Sequence, residues 1–334
     1  MNKKRKEKNI TKKLDKEEEI ESLTNPILIT IILFGTLIFT TFFMQFSPII
    51  PFPLDLITII WYSLFLIVFY FICRKEKRTY KGLPYEVKDE KDLSLKYEII
   101  RKTTHGVIFG IAICYMFLGP VFMEMINFFL NHFPLFGINK VEVPPSLYGH
   151  YTVVFFTVIA FLGLATSEVV RIFFYKAYPL KGVKAIFRRK ETGAALGSHI
   201  ALAVGSMAVI LVFGGYWPEI VMASISISAI GDAAANLVGK RFGKHSYKGV
   251  ISRKRKTFEG LLTATIVSFS LSFLFLIYRY GLYSFFLAFI ATLVMAIIDW
   301  LSPNVSDNLL NPIATSIVMV FFVYILPLNV LLSI

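Results

Sequence analysis

The sequence predicts an all-α polytopic membrane protein with about nine transmembrane helices and a cytoplasmic N-terminus. Three observations predict it. The 334-residue chain is 56% hydrophobic and only 17% charged, with a mean hydropathy of +0.65, far less polar than a soluble domain of that size. Apolar stretches of about 20 residues, the length that crosses a hydrocarbon core of about 30 Å, recur along it. The cations gather in alternate connections between those stretches. Lipid leaves no partner for an open backbone, so helices or a closed barrel are the only options, and stretches this apolar on every side favour helices.

Residues 1–25 form a basic tail that opens MNKKRKEKNITKKLDKEEEIES. The tail is too polar for a signal peptide's apolar core and no small-residue cleavage site follows, so the first span is expected to stay as an anchor. Spans at 26–45 and 54–73, with the loop to residue 97, make an N-terminal pair. Residues 98–334 make a second unit, with spans at 106–130, 151–175, 194–214, 218–238, 258–278, 282–300 and 311–332. Lys and Arg number 8 in the tail, 10 from Arg74 to Lys102, 7 from Arg171 to Lys190 and 8 from Lys240 to Lys256, whereas the opposite loops hold Lys140 and Arg279 alone. Positive loops stay in the cytoplasm. The tail is therefore inside and nine crossings put the C-terminus outside. The loop at 301–310, LSPNVSDNLL, has no cation and is cytoplasmic by parity only. Cys73 and Cys114 have no second Cys or His at ligand spacing, which argues for neither a disulfide framework nor zinc.

The stretch SAIGDAAANLVGKRFGKH, residues 228–245, carries the first chemistry. Asp232 precedes the end of its span by six residues, about 9 Å at 1.5 Å per residue. A lone charge that deep costs about 2.5 to 3.5 kcal/mol, so such residues face a bundle interior or a wet cavity and serve a function. Ser228, Asp232, Asn236 and Lys240 follow at intervals of four and form one polar stripe, among small residues that let helices approach closely. The plainer reading is an Asp that hydrogen-bonds a neighbouring helix. Residues 233–258 then hold eight cations and no carboxylate before Glu near the next span, interleaved with Gly239, Gly243 and Gly249. Glycines let a backbone bend around a ligand, and a polyphosphate asks for both charge and a wrapping backbone. GKRFGKH lacks P-loop spacing, and the loop also fits an orienting or headgroup-holding role. The next span opens KTFEG, with Lys256, Glu259 and Thr263 expected on one helical face. EIIRKTTHG at 98–106, SEVVR at 167–171, RRKETG at 188–193 and SDNLLNP at 306–312 lie on the same side. Each has a structural reading of its own: Arg101 and Lys102 as flanking cations, His105 at the interface, Glu168 with Arg171 as a one-turn ion pair, Asp307 and Asn308 as a turn or helix cap.

GDAAANLVGKRFGKH, then KTFEG, then DNLLNP, with RKTTH, SEVVR and RRKETGAALGSH upstream, resemble the CTP-dependent lipid kinases of dolichol, phytol and diacylglycerol, which are related to phosphatidate cytidylyltransferase. The likeness covers roughly residues 98–320, and Asp299 stands where a glutamate is expected. The resemblance implies a membrane kinase, integral to a cell or endoplasmic-reticulum membrane, with a cytoplasmic CTP site and a lipid alcohol of the dolichol or polyprenol type as acceptor. CTP, that lipid and the bilayer are the expected partners, with no nucleic acid. Phosphoryl transfer depends on positioning and charge neutralisation, usually through a divalent metal, and Mg²⁺ typically takes one or two carboxylates beside phosphate oxygens and water. Asp232 is expected to bind Mg²⁺ or to act as base, with Glu259 and Asp307 as further ligands. Lys240, Arg241, Gly243, Lys244, His245 and Lys256 would hold the triphosphate, with Arg101, Lys102, His105 and Asn308 closing the site. A cytidylyltransferase making a CDP-lipid uses the same face. A transporter also places ionisable groups in a membrane, though no inverted repeat of broken helices is evident, and a scaffold accounts for the cation bias but not for the buried stripe.

Overall fold

The computed structural model of the protein describes residues 26–42, 49–74, 99, 106–174, 178, 197–252 and 254–326. Among the described residues, a helical rod stands at each of the expected apolar stretches. These are α1 (Pro26–Phe42), α2 (Leu54–Arg74), α3 (Val107–Ile113) running through a π turn at Cys114–Leu118 into α4 (Gly119–His132), α5 (Tyr148–Phe173) and α6 (Ser198–Phe213). The sixth rod is α7 (Pro218–Ser226), joined by a π turn at Ile227–Gly231 to α8 (Asp232–Phe242). The strands β1 (Ser246–Lys248) and β2 (Arg255–Thr257) follow, then α9 (Phe258–Tyr280), α10 (Tyr283–Leu301) and α11 (Asp307–Ile325). Six rods are long and apolar enough to cross a membrane, and α1 and α6 are shorter apolar helices. The protein is an all-α polytopic membrane protein with one small hairpin among the described residues.

Burial separates the rods by role. In the most apolar window of the α7–α8 rod 61% of residues are buried against protein, whereas in α2 the share is 17%, so the first is central and the second faces lipid. Around the centre, Ile220, Ala223 and Ile227 pack against Ala264, Leu276, Leu287, Ala291, Met295 and Met319 from α9, α10 and α11. On its other side Val221, Ile225 and Ala229 meet Val153 and Val154 of α5 and Val209, Ile210 and Leu211 of α6. Helices with no hydrophobic drive toward each other in lipid associate through close van der Waals contact. Gly239 of α8 and Gly260 of α9 provide it: a Cβ on Gly260 would lie 2.8 Å from the Ala235 carbonyl oxygen.

Two rod ends differ from the sequence expectation. The sixth rod runs to Phe242 rather than 238, because Lys240 and Arg241 in its last turn complement the negative end of the helix dipole. The ninth begins at Asp307 rather than 311, with the acid in the first turn where the dipole favours it, so Asp307 and Asn308 are helical residues and not loop. Pro312 inside α11 has no N–H to give the Asn308 carbonyl. Ser228 of the π turn donates its hydroxyl to that oxygen instead, at 3.4 Å.

The hairpin is tied to a helix end. β1 and β2 pair antiparallel, Tyr247 opposite Lys256, and Gly249 N–H closes the turn on the Lys254 carbonyl at 2.9 Å. The last carbonyls of a helix lack intrahelical donors. Those of Trp300, Leu301 and Ser302 accept from the N–H groups of Val250, Ile251 and Ser252 at 3.2, 2.9 and 3.0 Å.

Candidate functional site

Four segments end at the same level: α8, the hairpin leading into α9, the last turn of α10 and the first turn of α11. Lys256 stands among them. Strand alternation turns Tyr247 and Lys256 to one face of the hairpin, toward Asp299 in the last turn of α10. Lys256 Nζ donates to Asp299 Oδ1 at 2.5 Å and to its main-chain oxygen at 3.1 Å, and Tyr247 Oη donates to Oδ2 at 2.8 Å. Burial disfavours the Lys256 ammonium, but the carboxylates of Asp307, Asp299 and Asp232 outweigh it and hold its pKa above the ordinary lysine value. Burial, and then the Asp299 charge, pushes the Tyr247 phenol up out of its usual range. Lys256 therefore stays charged and Tyr247 neutral at any physiological pH.

Asp232 follows directly on the π turn, and single π turns inside helices often mark functional positions. Its Oδ1 accepts from Asn236 Nδ2 at 2.5 Å, the one-turn contact that the polar stripe predicts, while Ser228 is fully buried in the π turn. Because α8 continues to Phe242, Asp232 lies ten residues, about 15 Å, below the helix end rather than about 9 Å. Lys240, Arg241, Gly243, Lys244 and His245 are exposed around that end. Asp307 Oδ1 accepts from the Asn308 N–H at 3.0 Å. Asn308 is 5% exposed, and the side-chain oxygens of Asn308 and Asn311 are buried with no partner among the described residues.

Lys256 and Glu259 do not share a helical face as expected. Lys256 belongs to a strand and turns to Asp299, whereas Glu259, in the first turn of α9, accepts from the His245 N–H at 3.0 Å and pairs with its Nδ1 at 2.8 Å. Glu259 thereby fixes the segment that follows the α8 cations. Among the described residues no three His, Cys, Asp or Glu side chains lie close enough to hold a metal together, so Asp232, Glu259 and Asp307 do not form one ready ligand set. Asp232 and Asp307, the two acids that act on Lys256 besides its bonded partner Asp299, still offer the hard oxygen donors that Mg²⁺ prefers when a polyphosphate supplies the rest. Arg101, Lys102 and His105 lie outside the described residues, as does the stretch 188–193.

Glu168 and Arg171 pair as their spacing predicts, each 2% exposed, with Arg171 Nε and Nη2 donating to Oε2 and Oε1 at 2.9 and 2.8 Å. Gly197 N–H also donates to Glu168 Oε1 at 2.6 Å, and His199 Nε2 stands 3.6 Å from Oε2. This buried cluster fastens the start of α6 to α5. Tyr247 was not singled out from sequence, although the alternation of SYK against RKT places it opposite Lys256.

Comparison with known proteins gives one partial likeness. The chain is 32% identical over 124 residues to a phytol kinase of Synechocystis sp., a match covering 35% of this chain and 50% of that one. It thus spans about half the length of that relative. No family model matches the chain, and no solved structure does.

Proposed function

We propose that the protein is an integral membrane kinase that transfers the γ-phosphate of CTP to the hydroxyl of a lipid alcohol at the cytoplasmic face. The observation that carries this reading is the ion pair of Lys256 with Asp299, on which the charges of Asp232 and Asp307 from two further helices also act, beside a cation-rich helix end. The partial likeness to a phytol kinase supports a lipid acceptor, of the dolichol or polyprenol type by the sequence resemblance, and CTP as donor rests on that same resemblance.

Phosphoryl transfer is mostly positioning and electrostatic stabilisation. Lys240, Arg241, Lys244 and His245 at the end of α8 would receive the triphosphate, with Gly243 letting the chain pass close to it. Lys256, held by Asp299 and screened from bulk water, would neutralise charge on the group in transfer. Asp232 and Asp307 would hold Mg²⁺, which when bound would supply charge neutralisation to the donor phosphates. Asp232 stands low enough in the bundle to meet a hydroxyl whose tail remains in lipid, and its oxygen not turned to the metal would take the proton as the hydroxyl oxygen bonds to the γ-phosphorus, the β,γ-bridging P–O bond breaks and CDP leaves.

Purified protein with γ-labelled CTP and a panel of dolichol, phytol, geranylgeraniol and diacylglycerol should yield a labelled lipid phosphate. A lipid product labelled from α-labelled and not from γ-labelled CTP would mean nucleotidyl transfer to a CDP-lipid and would overturn the reading. Asp232→Asn should lower kcat by about 10²- to 10⁴-fold, the usual contribution of a general base. Replacing Lys240 and Lys244 by Gln should raise KM for CTP with little change in kcat, the mark of lost ground-state binding.

A further inference from the structure

We propose that the outward face of the β1–β2 hairpin is a docking surface for the headgroup of an anionic phospholipid in the leaflet nearest the site. The register sets Lys248 directly opposite Arg255, and both are exposed. Like charges directly opposite on one face destabilise a strand pair. Neither cation forms an ion pair among the described residues. Tyr247 and Lys256 point the other way, to Asp299, so the outward pair does not serve the Asp299 cluster. An anion bound between Lys248 and Arg255 would turn their repulsion into attraction.

The tip of the hairpin says which anion. Val250 and Ile251 are 54% and 52% exposed, and their N–H groups are bonded to the last carbonyls of α10. The exposed side chains of α10 run Phe285, Phe289, Leu293, Ile297 and Trp300, at the spacing of one helix face. That stripe faces acyl chains, and Trp300 marks its interfacial end, where tryptophan is enriched. Val250 and Ile251, bonded through their N–H groups to the Trp300 and Leu301 carbonyls, add exposed apolar side chains at that end. An apolar pair at the acyl boundary beside two cations without carboxylate partners matches a phospholipid, hydrocarbon for the tip and phosphate for the cations. A soluble phosphate would use the cations and leave the tip in water.

The inference does not depend on the kinase reading. The full chain, with Trp61 and Trp217 replaced by Phe so that Trp300 is the sole donor, is placed in nanodiscs of phosphatidylcholine and titrated with dansyl-phosphatidylglycerol. Energy transfer should saturate, should be competed by unlabelled phosphatidylglycerol and not by added phosphatidylcholine, and should weaken with salt. Each cation near an anionic surface contributes about fivefold, so Lys248→Gln with Arg255→Gln should raise half-saturation about 25-fold. Val250→Ser with Ile251→Ser should weaken binding while leaving its salt dependence. Equal competition by phosphatidylcholine, or no effect of salt on the unmutated pair, would overturn the proposal without any variant. Displacement of the lipid by CTP would assign the pair to the nucleotide and would overturn it as well.

Discussion

Asp232 is legible in the sequence because a carboxylate inside an apolar stretch has so few affordable surroundings. Its one-turn partner Asn236 follows from helical spacing. Lys256 is legible as a cation but its partner is not: Asp299 lies 43 residues away, and the two meet only because the hairpin turns Lys256 to one face and bonds to the end of α10. Asp299 stands where the family resemblance implies a glutamate, and the structure gives the shorter acid two jobs, accepting from both Lys256 and Tyr247. Asp299→Asn keeps the shape but removes the charge, and a supporting residue of this kind typically contributes 10- to 100-fold to activity. A loss of about that size is expected, with Asp299→Glu recovering most of it; equal loss in both variants would show that shape and not charge matters. The raised Lys256 pKa means that its charged form adds stability in full below lysine's ordinary value, and that this contribution is lost only as pH rises through the folded value. Denaturation curves of the wild type and Lys256→Met should therefore run parallel between about pH 7 and pH 9 and converge in stronger alkali.

Helical elements follow from apolar length: a rod stands at each of the nine stretches, and among the described residues six of them are long and apolar enough to cross a membrane. Their ends were read less well. Hydropathy reads 307–310, which open on Asp307 and Asn308, and 239–242, which hold Lys240 and Arg241, as loop, whereas the helix dipole carries α11 back to Asp307 and α8 on to Phe242. The hairpin escapes sequence reading because strands of three residues leave too little alternation to detect, and a two-stranded hairpin, marginal alone, is tied here to the α10 carbonyls and to Asp299. The contact that sets the site's geometry lies between α8 and α9, at Gly239 and Gly260. A side chain at Gly260 meets backbone, the Ala235 carbonyl at 2.8 Å, which cannot swing aside as a side chain could. Gly260→Val should force the helices apart at the usual overpacking cost of about 1–3 kcal/mol, read as a lower melting temperature. It should also lower activity, since Asp232 and Lys256 ride on the two segments being separated. Loss of stability with normal turnover would mean that their spacing is not critical.

At the scale of the whole molecule, charge decides orientation. Of 35 cations, Lys140 and Arg279 alone were assigned to the outer side, and Arg279 is held by Glu219 at 3.0 Å and by the Tyr216 carbonyl at 2.8 Å. Pairing leaves the side that the cation count assigns as outer with still less free positive charge than that count implies. Because α9 separates the hairpin from the turn at Gly281–Leu282, those two places must open on opposite sides if α9 crosses the membrane. Ser246→Cys and Leu282→Cys, each in a chain with Cys73 and Cys114 replaced by Ala, test this with a maleimide that cannot enter vesicles. Ser246 is exposed and Leu282 is 94% exposed, so both thiols will react where the reagent reaches them. Inverted vesicles should label the first and right-side-out vesicles the second. Labelling of both from one side would mean that α9 does not cross, and labelling of the hairpin from outside would put the carboxylate cluster where no cytoplasmic nucleotide could reach it.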